Sequence, residues 1–239
     1  GILVPAPIAN KHGQLMQELK NKPTVLCPRL AGEHVAQPTA EHCYTIGKAL
    51  AGFHLAAESF EERKVDEYGF AWWQLEGPTL TANLPEEEQA LLHTELNYQT
   101  QHLSLWQALP KGWIHGDLFH DNALFNNDQV AFLDLYAACE GTWLYDLAVV
   151  ANDWCCDVNG YWLDDNVERL KAGYNSVRQI TDTEESAWGT MLRAAALRFW
   201  LGRLETQQLQ ASYQGELALQ KSPEEYRLKL VMRQQEFPL

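Results

Sequence analysis

The sequence is short of positive charge. Eighteen Lys and Arg stand against thirty-two Asp and Glu, a formal charge of −14 over 239 residues. Phosphate-backbone and anionic-surface affinity come from Lys and Arg, so this balance excludes a nucleic-acid or membrane-surface binder. Long hydrophobic runs are missing too: nothing approaches the roughly 18 apolar residues of a membrane span. The opening stretch Ile2 to Ile8 is broken by Pro5 and Pro7 and has no basic flank, which excludes a signal peptide. Cysteine is scarce and unpaired in pattern. Cys27, Cys43, Cys139, Cys155 and Cys156 are odd in number and lack any C-x-x-C spacing, which excludes a disulfide framework and a zinc site. They read as small buried hydrophobes, and a reducing cytoplasm is the expected compartment. Glycine never falls in a G-x-G-x-x-G run, and Lys11, Lys20 and Lys22 lie in turn-like segments.

What is present is ordinary globular material, 46% apolar and 21% charged. Pro23-Thr24-Val25-Leu26-Cys27 reads as one buried strand that Pro28 ends, following a turn and hairpin and leading into a connector. Pro38-Thr39 starts a helix whose face carries Cys43, Ile46, Leu50, Phe53 and Ala57. Pro85 starts a second helix, with Glu86, Glu87 and Glu88 at the positive end of its dipole. Its stripe of Leu92, Leu96, Leu103 and Trp106 predicts one helix continuing to Pro110. Between 113 and 136 the period shortens, and Ala123-Leu124-Phe125 and Val130 to Leu133 read as a hairpin across Asn126-Asn127-Asp128. Helices return from Tyr145: through Trp154, around Leu170, from about Asp182 to Leu209, and after a capping box at Ser222-Pro223-Glu224-Glu225.

The chemistry sits in that hairpin region. After His115-Gly116-Asp117, four residues lead to Asn122, and a hairpin then leads to Asp134 at a strand end. Phosphoryl transfer asks for a carboxylate to accept a hydrogen bond from the attacking hydroxyl, which suits Asp117. It also asks for one or two oxygen ligands for Mg²⁺ beside the ATP phosphates, which suits Asn122 and Asp134. The order matches the protein-kinase pattern of a catalytic-loop Asp and Asn followed by a metal-binding Asp. A lone Asp or Asn in a hairpin is usually a turn residue; the ordered set of them is not explained that way. His115 is read as a structural brace and Asp121 as a solvated loop residue.

His115-Gly116-Asp117-Leu118-x-x-x-Asn122 resembles the catalytic loop of the aminoglycoside-phosphotransferase-like kinases. Many members carry a second His two residues after the Asp, where this chain has Phe119. Phe132 to Cys139, Leu144-Tyr145-Asp146-Leu147-Ala148, Pro5-Ala6-Pro7-Ile8, Pro38 to Cys43 and Ala195 to Trp200 are similar to the homoserine-kinase branch of that superfamily. The resemblance implies an α+β, protein-kinase-like fold. Residues 37–239 would form a mainly helical C-terminal catalytic lobe with a small β-hairpin. Residues 1–36 would be the last strands of an N-terminal lobe and the hinge, in a chain that opens on Gly1 inside that smaller lobe.

The activity implied is phosphorylation of L-homoserine by ATP with Mg²⁺, as expected of the full-length protein. Asp117 would face the hydroxyl, and Asn122 and Asp134 would hold the metal. Leu26, Cys27, Arg29 and Leu30 would meet adenine through the hinge backbone. Asp146 would brace the catalytic loop, or simply start a helix. Homoserine is a zwitterion, and Arg198, among apolar neighbours, is the candidate for its carboxylate; a structural ion pair is the other reading. Tyr136 and Trp154 would wall the pocket or serve as core aromatics. Two alternatives remain at this point: a kinase of choline-like or aminoglycoside substrates, and a non-catalytic lobe acting as a binding protein.

Overall fold

A computed structural model describes residues 2–127, 129–211 and 221–238. The N-terminal region holds a two-stranded ribbon, β1 (Met16–Leu19) and β2 (Lys22–Val25), paired antiparallel. Lys20 and Asn21 both take positive φ, 52° and 59°, the left-handed pair that matches the twist of a two-residue hairpin. The expected buried strand is corrected here. β2 ends at Val25, and Met16, Leu19 and Leu26 are exposed, because no third layer covers the ribbon among the described residues.

α1 (Ala40–Ala56) starts where Pro38-Thr39 predicts. Thr39 Oγ1 accepts from the His42 backbone N–H, and the Thr39 N–H donates to His42 Nδ1, closing a capping box. Cys43, Ile46 and Leu50 are fully buried. α6 (Asp164–Asn175) crosses α1 with backbones nearly touching. A Cβ at Gly47 would lie 2.2 Å from the Leu170 carbonyl oxygen, and one at Gly173 would lie 2.0 Å from that of Tyr44. Only glycine on each helix permits that approach.

α2 (Phe70–Thr81) has no counterpart in the sequence reading; Trp73 and Leu80 bury it against the core. The single helix expected from Pro85 to Pro110 is divided into α3 (Glu86–Gln101) and α4 (Leu103–Ala108). The cause is His102, whose ring stacks on Tyr98 at 4.0 Å while Nδ1 takes the Tyr98 carbonyl at 2.8 Å, in competition with the helix.

β3 (Lys111–Ile114) pairs antiparallel with β6 (Cys139–Thr142), while β4 (Ala123–Asn126) and β5 (Gln129–Phe132) form the expected hairpin. α5 (Trp143–Trp154) is the centre of the molecule, with all its residues but Asp153 buried. α7 (Asp182–Ala211) packs over it, and α8 (Pro223–Glu236) packs on α7. Ser222 caps α8 by accepting from the Glu224 N–H, but Glu225 turns to Arg203 and Lys229 instead of closing a capping box. Trp154 is fully buried and donates to the Leu118 carbonyl at 3.0 Å, a core aromatic and not a pocket wall. Four of the five cysteines are buried, as expected of small hydrophobes.

Candidate active site

The site is built on the chain leaving β3. Gly116 takes φ +75°, and a Cβ there would press against the Ala137 carbonyl oxygen at 3.1 Å, so this turn requires glycine. Fully buried Asp146, in the first turn of α5, accepts the His115 N–H at 2.7 Å and the Gly116 N–H at 2.9 Å. Of the two readings of Asp146, bracing is the one its geometry realises. The same carboxylate accepts from His54 Nε2–H at 3.0 Å, and His54 Nδ1 accepts from the Tyr174 hydroxyl at 2.8 Å. Burial alone would push Asp146 up, but the hydrogen bonds from His54 and His115 hold it below the ordinary carboxylate range. Burial lowers the pKa of His54, leaving it neutral and suited to this donor–acceptor role. His54 was missed in the sequence; its only signal is a polar residue among the buried positions of α1.

His115 braces the loop as expected. Its Nε2–H donates to the Leu133 carbonyl at 2.9 Å, Nδ1 receives the Asp117 N–H at 3.3 Å, and burial lowers its pKa. Asp117 follows, with Phe119 N–H on its carbonyl at 2.9 Å. Asn122 Nδ2 donates to the Asp117 carbonyl at 2.8 Å and to Oδ2 at 3.3 Å. The Leu133 N–H donates to the Asn122 carbonyl at 2.9 Å, which sets Asp134 beside Asn122. Asp134 is exposed and left-handed, at φ 55° and ψ 59°, a conformation Asp tolerates better than most residues. Asp117, Asn122 and Asp134, separated in sequence by a turn and a hairpin, thus converge.

Burial pushes the Asp117 carboxyl up to about 6; Arg198 and then Lys221 pull it down, while Asp134 and Asp121 push it further up. Among the described residues nothing donates to Asp117 Oδ1, to Asn122 Oδ1 or to the Asp134 carboxylate. Two neighbouring oxygen donors without protein partners are a chemical fit for Mg²⁺, which keeps its other positions for water and phosphate oxygens.

Asp121, read as a solvated loop residue, carries an exposed ion pair with Lys221 at 2.6 Å. Phe119 is buried against Phe199 at 4.5 Å and Tyr226 at 5.9 Å. Next to it, Asp153 accepts from His120 through both the backbone N–H at 2.7 Å and Nδ1 at 2.8 Å; that hydrogen bond raises the His120 pKa.

A cleft opens beside Gly116, lined by Asp66, Tyr68, Tyr136, Tyr145 and Arg198. Arg198 makes no ion pair among the described residues; its guanidinium lies 4.6 Å over Tyr68 and 4.4 Å over Phe199. The structural ion pair is therefore the reading its surroundings do not realise. Tyr136 stands at the rim, 78% exposed. The connector residues Leu26, Cys27, Arg29 and Leu30 lie outside this cleft. The Leu26 carbonyl already accepts from Ile8 N–H at 2.8 Å, whereas the main-chain groups from Cys27 to Gly32 have no hydrogen-bond partner among the described residues. The connector then joins the hairpin where Glu33 and Phe125 exchange two 2.9 Å backbone bonds.

A sequence profile of the phosphotransferase enzyme family (APH) matches residues 1–180. A homoserine kinase of Janthinobacterium sp. (strain Marseille) is 41% identical over 208 residues, covering 85% of this chain. One of Pseudomonas aeruginosa (strain PAO1) is 36% identical over 235 residues, covering 98% of this chain and 73% of its own. The chain spans 65% of the length of the Janthinobacterium relative. Among solved structures, an aminoglycoside phosphotransferase from Alicyclobacillus acidocaldarius superposes with a TM-score of 0.62 at 17% identity, over 98% of this chain and 77% of its own. Amicoumacin kinase hAmiN superposes with a TM-score of 0.69 at 13% identity, over 99% and 72%. These last two likenesses are of fold.

Proposed function

The chain belongs to the phosphotransferase enzyme family, and from that premise we propose that it transfers the γ-phosphoryl group of ATP to the side-chain hydroxyl of L-homoserine, giving O-phospho-L-homoserine and ADP. The observation that carries the reaction type is Asp117: a half-buried carboxylate on a braced loop, with Oδ1 left free to accept a hydrogen bond. The substrate follows from relatives of that activity at 36–41% identity. The structural neighbours at 13–17% identity bear on the fold alone, so choline-like and aminoglycoside substrates have less support.

In this reading Asp117 orients the homoserine hydroxyl toward the γ-phosphorus. A new O–P bond forms as the bond from phosphorus to the ADP oxygen breaks, and the hydroxyl proton passes to Asp117. A carboxyl with a pKa of about 6 is ionised at neutral pH yet basic enough to take that proton late. Asn122 and Asp134 would hold Mg²⁺, which supplies charge neutralisation at the ATP phosphates. The Cys27, Arg29 and Leu30 backbone would offer donors and acceptors to adenine, and Arg198 would meet the substrate carboxylate, with Tyr136 at the mouth. Biosynthetic chemistry on free ATP and an amino acid suits the cytoplasm; no helix among the described residues is long and apolar enough to cross a membrane.

The test is ATP-dependent phosphorylation by the full-length protein across L-homoserine, choline and aminoglycosides. Preferred turnover of L-homoserine is expected. Preference for choline or an aminoglycoside rejects the substrate.

A further inference from the structure

Resting on the homoserine reading, we propose that Asp66 binds the substrate ammonium, so that Asp66 and Arg198 together clamp the two charges of an α-amino acid. Both side chains line the cleft beside Gly116. Asp66 comes from the loop before α2 and Arg198 from α7, and each is half-buried. Neither makes an ion pair among the described residues, with each other or with any third group. These opposite charges face one cleft and stay more than 4.0 Å apart, so neither neutralises the other and each is open to a molecule carrying both signs. Burial without a partner is costly for either charge, and a zwitterion satisfies both at once.

Their fields overlap at the cleft wall. Burial pushes the Tyr145 hydroxyl well above its ordinary range, Arg198 opposes that and Asp66 adds to it; at Cys139, pushed up to about 12 by burial, Asp66 is again the main added charge and Arg198 opposes it. Arg198 is also the largest opposing charge at Asp117. The charged end of the substrate therefore sits within electrostatic reach of the carboxylate that receives its hydroxyl, as a chain of two methylenes requires.

The other charges around the cleft are taken or turned outward. Lys64 Nζ donates to the Tyr136 carbonyl at 2.6 Å, and Glu67 is exposed. The local role of Asp66 is an Asx turn, Oδ1 accepting the Tyr68 N–H at 2.9 Å. An amide keeps that turn, so Asp66→Asn removes the charge and leaves the loop its hydrogen bond.

The experiment compares L-homoserine with 4-hydroxybutanoate, which lacks the ammonium, and with 3-aminopropan-1-ol, which lacks the carboxylate, in the full-length protein. The readout is the ratio of each analogue's inhibition constant to the KM of L-homoserine, a ratio insensitive to the fraction of active protein. Asp66→Asn is expected to collapse discrimination against 4-hydroxybutanoate by about 10- to 100-fold, the usual worth of a charged hydrogen bond, while discrimination against 3-aminopropan-1-ol persists. Arg198→Met is expected to do the reverse. Discrimination against 4-hydroxybutanoate that survives Asp66→Asn, or both ratios falling together, overturns the clamp while the homoserine reading stands. A wild-type protein that prefers choline or an aminoglycoside overturns the reading and the clamp with it.

Discussion

Replacing Asp117 by Asn should remove most of the turnover and at the same time make the protein more stable. The carboxyl is raised by burial from 3.8 to about 6, so the folded state holds its proton more tightly than the unfolded chain does. Stability from this group is fully present below pH 3.8 and is lost as pH rises toward 6. Above that window the ionised carboxylate costs about 3 kcal/mol, the free-energy equivalent of the rise from 3.8 to about 6. At pH 4.5 the same relation leaves about 1 kcal/mol. Asn carries no charge and still offers an oxygen to Asn122 Nδ2, so it removes the cost without opening a cavity. Urea unfolding of wild type and Asp117→Asn, without nucleotide or Mg²⁺, should show the variant about 3 kcal/mol more stable at pH 7.5 and about 1 kcal/mol at pH 4.5. Its kcat should fall by about 10²- to 10⁴-fold. A variant no more stable than wild type at pH 7.5, or a gap that does not shrink in acid, would refute the account of Asp117 as a desolvated carboxylate.

Asp134→Asn should leave unfolding within about 0.5 kcal/mol of wild type, since the side chain is exposed and unpartnered. Its effect should instead be a rise in the Mg²⁺ concentration for half-maximal activity, read by metal titration of initial rates; an unchanged titration removes Asp134 from the metal site. Asp146→Ala strands His54 and the His115 and Gly116 N–H groups in the interior and should cost about 3–5 kcal/mol in chemical denaturation. A loss below about 1 kcal/mol would mean that the loop is held by other contacts. Gly173→Ala places a methyl 2.0 Å from the Tyr44 carbonyl oxygen, so α1 and α6 must separate. Thermal unfolding should fall by several degrees, in line with about 1–3 kcal/mol for overpacking; an unshifted melting curve would contradict the close crossing.

The candidate catalytic set was legible in the sequence because the fold makes it nearly local. Asp117 and Asn122 share one turn, and a single hairpin returns the chain to Asp134, so order and spacing carry the geometry. The caps at Thr39 and Ser222 were legible for the same reason, since their hydrogen bonds close within four residues. The misread elements failed where a distant partner decides. Pro23 to Cys27 has the composition of a buried strand, but its ribbon is uncovered. α2, which the sequence reading left unassigned, forms because Trp73 and Leu80 find a core to bury against. At His102 one side chain, competing for the Tyr98 carbonyl, interrupts a stripe that reads as continuous.

The phosphotransferase family, the three candidate oxygen-bearing residues and the capped helix starts were thus readable from local order and spacing, because each depends on neighbours a turn or a hairpin away. Only the tertiary structure decided what those residues experience. Asp117 is raised because the interior desolvates it, and Asp146 is held low because His54, 92 residues away, donates to it. Asp66 and Arg198 face one cleft because the loop before α2 and the middle of α7 meet beside Gly116. Burial and opposed charge are properties of the surroundings of a group, and the surroundings exist only when the chain has closed on itself.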